Sequence, residues 1–319
     1  KNTMTYSFID HVYGKQLWDL AKEGAPQYTD SSIYELGAVI PLIIVIWSLR
    51  KSWNSLFSYL FATITQFTKP DWKKTEPEKY REKHNKFCSQ MGKLIIHGVA
   101  AYWAYASCHE EHWWFFNTFS IISERYSVKV PNDPMTFSHK LYYIVLAAYH
   151  TESLLTHAFE EKRDDDVQMW IHHVVTFAVI SVSYTLGFTY FGTLVYFVHD
   201  VSDVSVAICK CFNYLKFKPV YIGISFLHLI AVWCYTRLYM FSVHIIWVIY
   251  KATYIFYQQD YPMWIVACGV FFGLLLSILE ILHLYWFYMF FYVAQNLIYG
   301  RAEIDASEYQ DWKKKEKED

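Results

Sequence analysis

Seven stretches of this chain are apolar for so long that only helices shielded by lipid or by one another can contain them. A bilayer core of roughly 30 Å takes about 20 apolar residues as a helix. The runs Ile33–Leu49, Leu94–Phe116, Leu141–Phe159, Val167–Phe188, Phe191–Phe212, Val220–Tyr250 and Pro262–Tyr299 read as such spans. The last two exceed one crossing and predict tilt or extension beyond the membrane. The first is short and carries Pro41; after it, the amphipathic, aromatic stretch Trp53–Phe67 predicts a separate interfacial helix. Charged residues form 18% of the chain and aromatics 20%, whereas soluble domains carry roughly 25% charge. The fold class is therefore an all-α polytopic membrane protein of about seven transmembrane helices enclosing a buried cavity. A net charge of −2 without a basic, aromatic-interleaved stripe gives no footing for nucleic acid. The six cysteines are scattered, mostly within apolar runs, and form neither a disulfide framework nor a zinc site.

Lysine and arginine placement orients the bundle. With the N-terminus luminal, the cytosolic loops and tail hold 19 of these residues and the luminal side 7. The expected organisation is a luminal segment 1–32, one membrane domain 33–300 and a charged cytosolic tail 301–319.

Ionisable groups inside spans cost roughly 2.5–3.5 kcal/mol each by insertion scales, so they mark function. Two consecutive spans hold the densest set: His172-His173-Val174-Val175-Thr176, and His199-Asp200-Val201-Ser202-Asp203. A short loop near Gly187–Phe191 joins them, which predicts antiparallel neighbours. His199, Asp200 and Asp203 crowd one side of their helix, and His172 shares a face with Thr176. His172 and Asp203 fall roughly 8 and 14 Å from their cytosolic helix ends at 1.5 Å per residue, close enough to meet across the pair. A carboxylate on one ring nitrogen fixes the tautomer and raises the basicity of the other. Such a set serves a general base, a nucleophile toward a thioester, or a metal ligand. His97, His150, His157, His228 and His244, being isolated, read as satisfied interhelical hydrogen bonders. Glu280-x-x-His283 and Arg237 suit structural ion pairing equally well, and Glu152 is a further candidate lining residue. A di-iron site fails on spacing, since the one HxxH, His109 to His112, lies on the luminal side; a two-His, two-Asp metal site stays open on composition.

The stretch Ile171 to Tyr184, then Gly192-Thr193-Leu194, His199-Asp200-Val201-Ser202-Asp203, Lys210 and Phe212-Asn213-Tyr214, resembles the Lag motif of ceramide synthases. These are acyl-CoA-dependent sphingoid-base N-acyltransferases of the TLC-domain superfamily. Thr236-Arg237-Leu238 and Leu282-His283-Leu284-Tyr285-Trp286 are similar to further family patterns, and the likeness covers about Lys86 to Arg301. The Lag-like block spans 171–214. Lys86 to Lys93 departs from the family pattern, with Gly92 where Trp is usual, and no homeobox-like domain fits between the first spans.

The resemblance implies a TLC-type bundle and a reaction in which acyl-CoA, as co-substrate, and a long-chain sphingoid base give a ceramide and CoA, with no further cofactor or metal. His172, His173, His199, Asp200 and Asp203 would be catalytic; Thr176, Arg237, Glu280, His283, Trp286 and Lys210 would contact substrate. Arg50, Lys51, Lys93, Lys162, Arg163, Lys210, Lys216 and Lys218 are placed to hold CoA phosphates at a cytosolic mouth. Two mechanisms fit: an acyl-imidazole on one histidine, or an imidazole deprotonating the sphingoid ammonium. Acyl length, base preference, and the presence of a second copy or an accessory subunit stay open. The resemblance also implies that the luminal loop before the last span, Ala252–Tyr261, influences chain length; pocket depth would make Tyr254, Phe256, Tyr257 and Tyr261 a floor, and the alternative reading of each is an aromatic belt at the interface. Lys315–Asp319 resembles a K-x-K-x-x retrieval signal, which implies residence in the endoplasmic reticulum membrane if Asp319 is the native end. The rival is a non-enzymatic TLC-domain protein that handles lipid or assists membrane traffic.

Overall fold

A computed structural model describes residues 28–29, 33–110, 114, 117–121, 135–159 and 165–298. The segment 1–27, Glu111, His112, Lys162, Arg163 and the tail 301–319 with its retrieval-like ending lie outside the described residues.

Seven long helical rods dominate: α1 Val39–Thr68, α2 Pro77–Cys108, α3 Phe137–His157, α4 Asp166–Thr185, α5 Thr189–Tyr214, α6 Pro219–Gln258 and α7 Met263–Ile298. Short strands β1 (Tyr28–Thr29) and β2 (Met135–Thr136) pair antiparallel beside them. Five rods are long and apolar enough to cross a membrane: α1, α4, α5, α6 and α7. The other two expected spans correspond to α2 and α3. Both are more polar, because α2 opens with the charged stretch 77–93 and α3 carries His139, Lys140, His150, Glu152 and His157.

Packing places six rods in a closed ring, in the order α2, α3, α4, α7, α6, α5, with α1 laid on the α2–α3 seam. This corrects the expectation that α4 and α5 lie side by side. The turn at Leu186–Phe188, with Gly187 in the left-handed region at φ 76°, does join them at one end. Beyond it, α4 packs on α3 and α7 while α5 packs on α2 and α6, so the two histidine-bearing helices face each other across the ring. Most of α5 is buried, as expected of the helix most enclosed by others.

The separate interfacial helix over Trp53–Phe67 is also corrected: α1 runs unbroken through it. Arg50-Lys51-Ser52 holds no helix breaker, and Pro41 sits in the first turn, where a missing N–H is tolerated. The second half of α1 buries Phe57 and Phe61 against Trp72, Phe87 and Tyr214, and the Thr68 hydroxyl donates to the Leu215 carbonyl at 2.5 Å. At the opposite end the Glu35 carboxylate accepts from Lys140 at 2.7 Å and from the Tyr184 hydroxyl at 2.6 Å, tying the lead-in of α1 to α3 and α4. The expected loop 252–261 is largely helix: α6 continues to Gln258 and turns only at Gln259–Pro262. Thirteen residues of α6, Cys234–Ile246, are π-helical, far beyond the single turn in which that geometry is mostly found.

Gly192 allows the closest approach in the ring. A Cβ there would overlap the hydroxyl of Tyr143, which is fully buried and bonded to Ser183 at 2.7 Å. Gly192→Ala should therefore break that bond and cost about 1–3 kcal/mol, read as a lower Tm in detergent; an unchanged Tm would mean that Tyr143 yields freely.

Candidate active site

A polar cavity of about 240 Å³ opens at the Thr68 end of the ring, and every rod contributes to its wall. Six of the expected residues line it: His172, His173, Asp203, Lys210, Arg237 and Trp286. The other five, Thr176, His199, Asp200, Glu280 and His283, stand behind this first layer. The ring geometry explains the division, since His172 and His173 reach inward from α4 while α5 turns Asp203 toward them from the far wall.

The bonded partners of the α5 carboxylates come from neither α4 nor each other. Asp200 accepts from His97 Nδ1 of α2 at 2.7 Å, and the Tyr149 hydroxyl of α3 donates to His97 Nε2 at 3.1 Å. Both ring nitrogens of His97 are thus used, and Asp203 lies 4.0 Å from the same Nδ1. Asp203 is bonded to Arg237 Nη2 at 2.7 Å. The two motifs share a cavity, and other helices supply the bonded partners.

Arg237 is the node of the second network. Its guanidinium, 2% exposed, donates to the Ser202 hydroxyl at 2.5 Å, to the His199 carbonyl at 3.2 Å and to His283 Nε2 at 3.0 Å. It also lies 4.8 Å from the Trp233 ring centroid. Because His283 Nε2 accepts from Arg237, its proton sits on Nδ1, facing Glu280 Oε2 at 3.3 Å. Glu280 is held in turn by the Ser242 hydroxyl at 2.7 Å. His199 donates Nδ1–H to the Val195 carbonyl at 2.7 Å, leaving Nε2 with a lone pair and no partner among the described residues.

His172 stands edge-on to Trp286, with ring centroids 5.6 Å apart, and its buried Nδ1 has no hydrogen-bond partner among the described residues. Trp286 is fixed by its indole N–H, which donates to Asp165 at 3.1 Å. His173 contacts the rings of His172 and His157. The wall also carries the cations Arg50, Lys93 and Lys210, and Arg50 pairs with Glu152 at 2.9 Å. Imidazoles opposite a carboxylate–guanidinium pair, with cations around them, suit proton transfer beside an anionic ligand. Among the described residues, no three His, Cys, Asp or Glu side chains converge as a metal would need.

Sequence reasoning missed Tyr149 altogether and set His97, His150 and His157 aside as isolated, although all four line the cavity. Position within an apolar run was their only signal. His97 is a satisfied hydrogen bonder, as read, but its partner is the motif aspartate.

On the same axis, an apolar pocket of about 70 Å³ lies between α4, α5, α6 and α7 toward the Glu35 end. Ser183, which lines it, is about 16 Å along α4 from His172. Phe256 lines this pocket, whereas Tyr254 and Tyr257 point outward and are exposed, which removes those two from the expected floor.

The TLC domain model that groups TRAM, LAG1 and CLN8 proteins matches residues 86–292. Sphingosine N-acyltransferase lac1 of Schizosaccharomyces pombe is 28% identical over 213 residues, covering 64% of this chain and 53% of its own length. Ceramide synthase 4 of Mus musculus is 27% identical over 233 residues, covering 71% and 56%. Ceramide synthase hyl-2 of Caenorhabditis elegans is 30% identical over 184 residues, covering 56% and 55%. The chain spans about half the length of these curated relatives.

The Arg237–Asp203 pair carries a stability test. Asp203→Leu strands a buried guanidinium and should cost about 3–5 kcal/mol, whereas Asp203→Leu with Arg237→Met removes both charges and should regain most of it. Thermal unfolding in detergent reads both; a double variant no more stable than the single one would mean the pair is not what holds Arg237.

Proposed function

Since the chain belongs to the TLC-domain family, we propose that it is a ceramide synthase, transferring a fatty acyl group from acyl-CoA to the amine of a long-chain sphingoid base. The observation that carries this reading is the axial arrangement inside the ring: facing imidazoles and carboxylate at one end, an apolar pocket at the other. A thioester carbonyl placed at His172 would have the apolar pocket below it, toward which its hydrocarbon chain would point, and cations for its phosphates above. The names of the relatives support the same chemistry, and nothing in the site favours the non-enzymatic alternative.

In the reaction the amine nitrogen bonds to the acyl carbon and the carbon–sulfur bond breaks. The ammonium must first lose a proton, and the leaving thiolate must be stabilised or protonated. His172, in the cavity and without a bonded partner on Nδ1, is the group assigned to take that proton or to carry the acyl chain. His173 adjoins it. Asp203 faces it from α5 and holds the incoming ammonium, while Arg237 holds Asp203 in place. Asp200, through His97 and Tyr149, fixes the opposite wall, and the Glu280–His283 pair buttresses Arg237. His199 stands behind the polar layer, held by the Val195 carbonyl. Lys93, Lys210 and Arg50 attract the CoA phosphates.

This assignment puts the polar mouth in the cytosol, the side to which the Lys/Arg count assigns the loops 69–86 and 216–218. All seven rods then cross the endoplasmic reticulum membrane, with the N-terminus luminal and the C-terminus cytosolic. In α2 and α3, groups such as His97, Tyr149 and His150 turn inward, where the cavity solvates what lipid would reject.

Microsomes carrying the chain, given labelled sphingoid base and a ladder of acyl-CoAs, test the reading. His172→Ala, His173→Ala and Asp203→Ala should each lower N-acylation at least about 100-fold at unchanged protein level. Full activity in two of the three would overturn it. In the same assay Phe256→Ala deepens the apolar pocket and should move the preferred donor two or more carbons longer, each methylene being worth roughly 1 kcal/mol or more. Tyr254→Ala and Tyr257→Ala, which change only the outer surface, should leave the profile where it was.

A further inference from the structure

A second apolar space lies outside the ring. An apolar cavity of about 220 Å³ runs between α1, α2 and α3, and among the described residues Arg50 is its one charged lining residue. Arg50 and Tyr149 line both this groove and the polar cavity, so the two spaces meet there. From Tyr149 the groove follows α3 to Tyr142 and α2 from Ile95 to Trp103, about 10–12 Å at 1.5 Å per residue. Its rim is open sideways: Leu49 is 43% and Val99 56% exposed.

The junction is polar on one side only. The Tyr149 ring faces Arg50, whose guanidinium carbon stands 5.4 Å from the ring centroid, while the Tyr149 hydroxyl reaches His97 in the site. Glu152 neutralises Arg50 locally. A single-chain lipid lying in the groove would therefore put its head beside His97 and Asp203 and its tail between α1 and α2.

We infer that this groove holds the hydrocarbon tail of the amine substrate, a single-chain long-chain amine arriving sideways from the bilayer. Resting on the acyltransferase reading above, the inference adds a second chain site to it. An amide bond joins two chains at one carbon and one nitrogen, so their tails must diverge from that point. The pocket between α4, α5, α6 and α7 lies on the ring axis and suits the chain delivered by water-soluble CoA, and the groove, whose rim residues Leu49 and Val99 are exposed, suits the chain that already resides in lipid. The cationic ammonium suits the exposed edge of Asp203 and would gain nothing from the lysines at the mouth. An open rim also leaves the end of the tail in the bilayer, so amine chain length should matter less than acyl chain length.

The test uses the full chain in nanodiscs and a sphinganine carrying a mid-chain diazirine. Photolysis should label Leu49, Val99 or Val145, and excess unlabelled sphinganine should reduce that label about tenfold. Val99→Trp, a change at an exposed position that the core does not feel, should abolish the label. It should raise KM for sphinganine about tenfold and leave KM for acyl-CoA unchanged. Labelling at Phe256 or Leu276 instead, with turnover intact, would overturn the groove and leave the acyltransferase reading standing. Equal labelling by a diazirine phosphatidylcholine, undisplaced by sphinganine, would reduce the groove to a place for bulk lipid and overturn it as well. Competed labelling of the groove in a chain that transfers no acyl group would instead keep the amine site and overturn the acyltransferase reading.

Discussion

A guanidinium buried at the centre of a helical bundle must find partners, and Arg237 finds them on three different helices, its own included. Asp203, Ser202 and the His199 carbonyl come from α5, His283 from α7, and the Trp233 face from its own rod. Loss of any one leaves charge or a donor in a medium that cannot solvate it. These bonds tie α6 to α5 and to α7 at one level of the bundle. So does the state of His283, which Arg237 leaves with its proton turned toward Glu280.

With α5 pinned by Arg237 on one flank and by His97 on the other, its two carboxylates are held apart on separate cations or donors. Neither is consumed by the α4 histidines. That division leaves His172 and His173 facing a wall of fixed polarity across open space, where a reacting group can sit without first displacing an internal partner. The seam helix α1 adds the sideways opening, so chemistry at the inner wall and access from lipid are handled by different parts of the same bundle.

The residues that announced themselves in the sequence were charged or histidine pairs inside apolar runs, because insertion cost makes such residues improbable without a use. His172, His173, Asp203, Arg237 and Trp286 were found in this way or through the family pattern, and the cavity gathers them. Tyr149 carried no such signal, since one tyrosine more in a chain with 20% aromatics is unremarked. His97 looked like a lone hydrogen bonder, and only the fold reveals that its acceptor is Asp200. Chain adjacency misled in the case of α4 and α5: a short turn fixes where two helices begin, whereas the ring decides what they touch along their length. The unbroken α1 and the helical extension of α6 through Tyr257 share a cause. Hydropathy marks where lipid ends, but a helix stops only where capping or a turn makes it stop, as at Gln259–Pro262.

The π-helical stretch of α6 separates the half of that rod carrying Trp233 and Arg237 from the half carrying Ala252 and Phe256. Removing one residue from an ordinary α-helical rod rotates everything beyond the deletion by about 100°. Here the wide turns hold slack, and a deletion can be absorbed by tightening them to α-geometry while both ends keep their facing. Of the seven rods, this one can therefore vary in length over descent without its two halves falling out of phase.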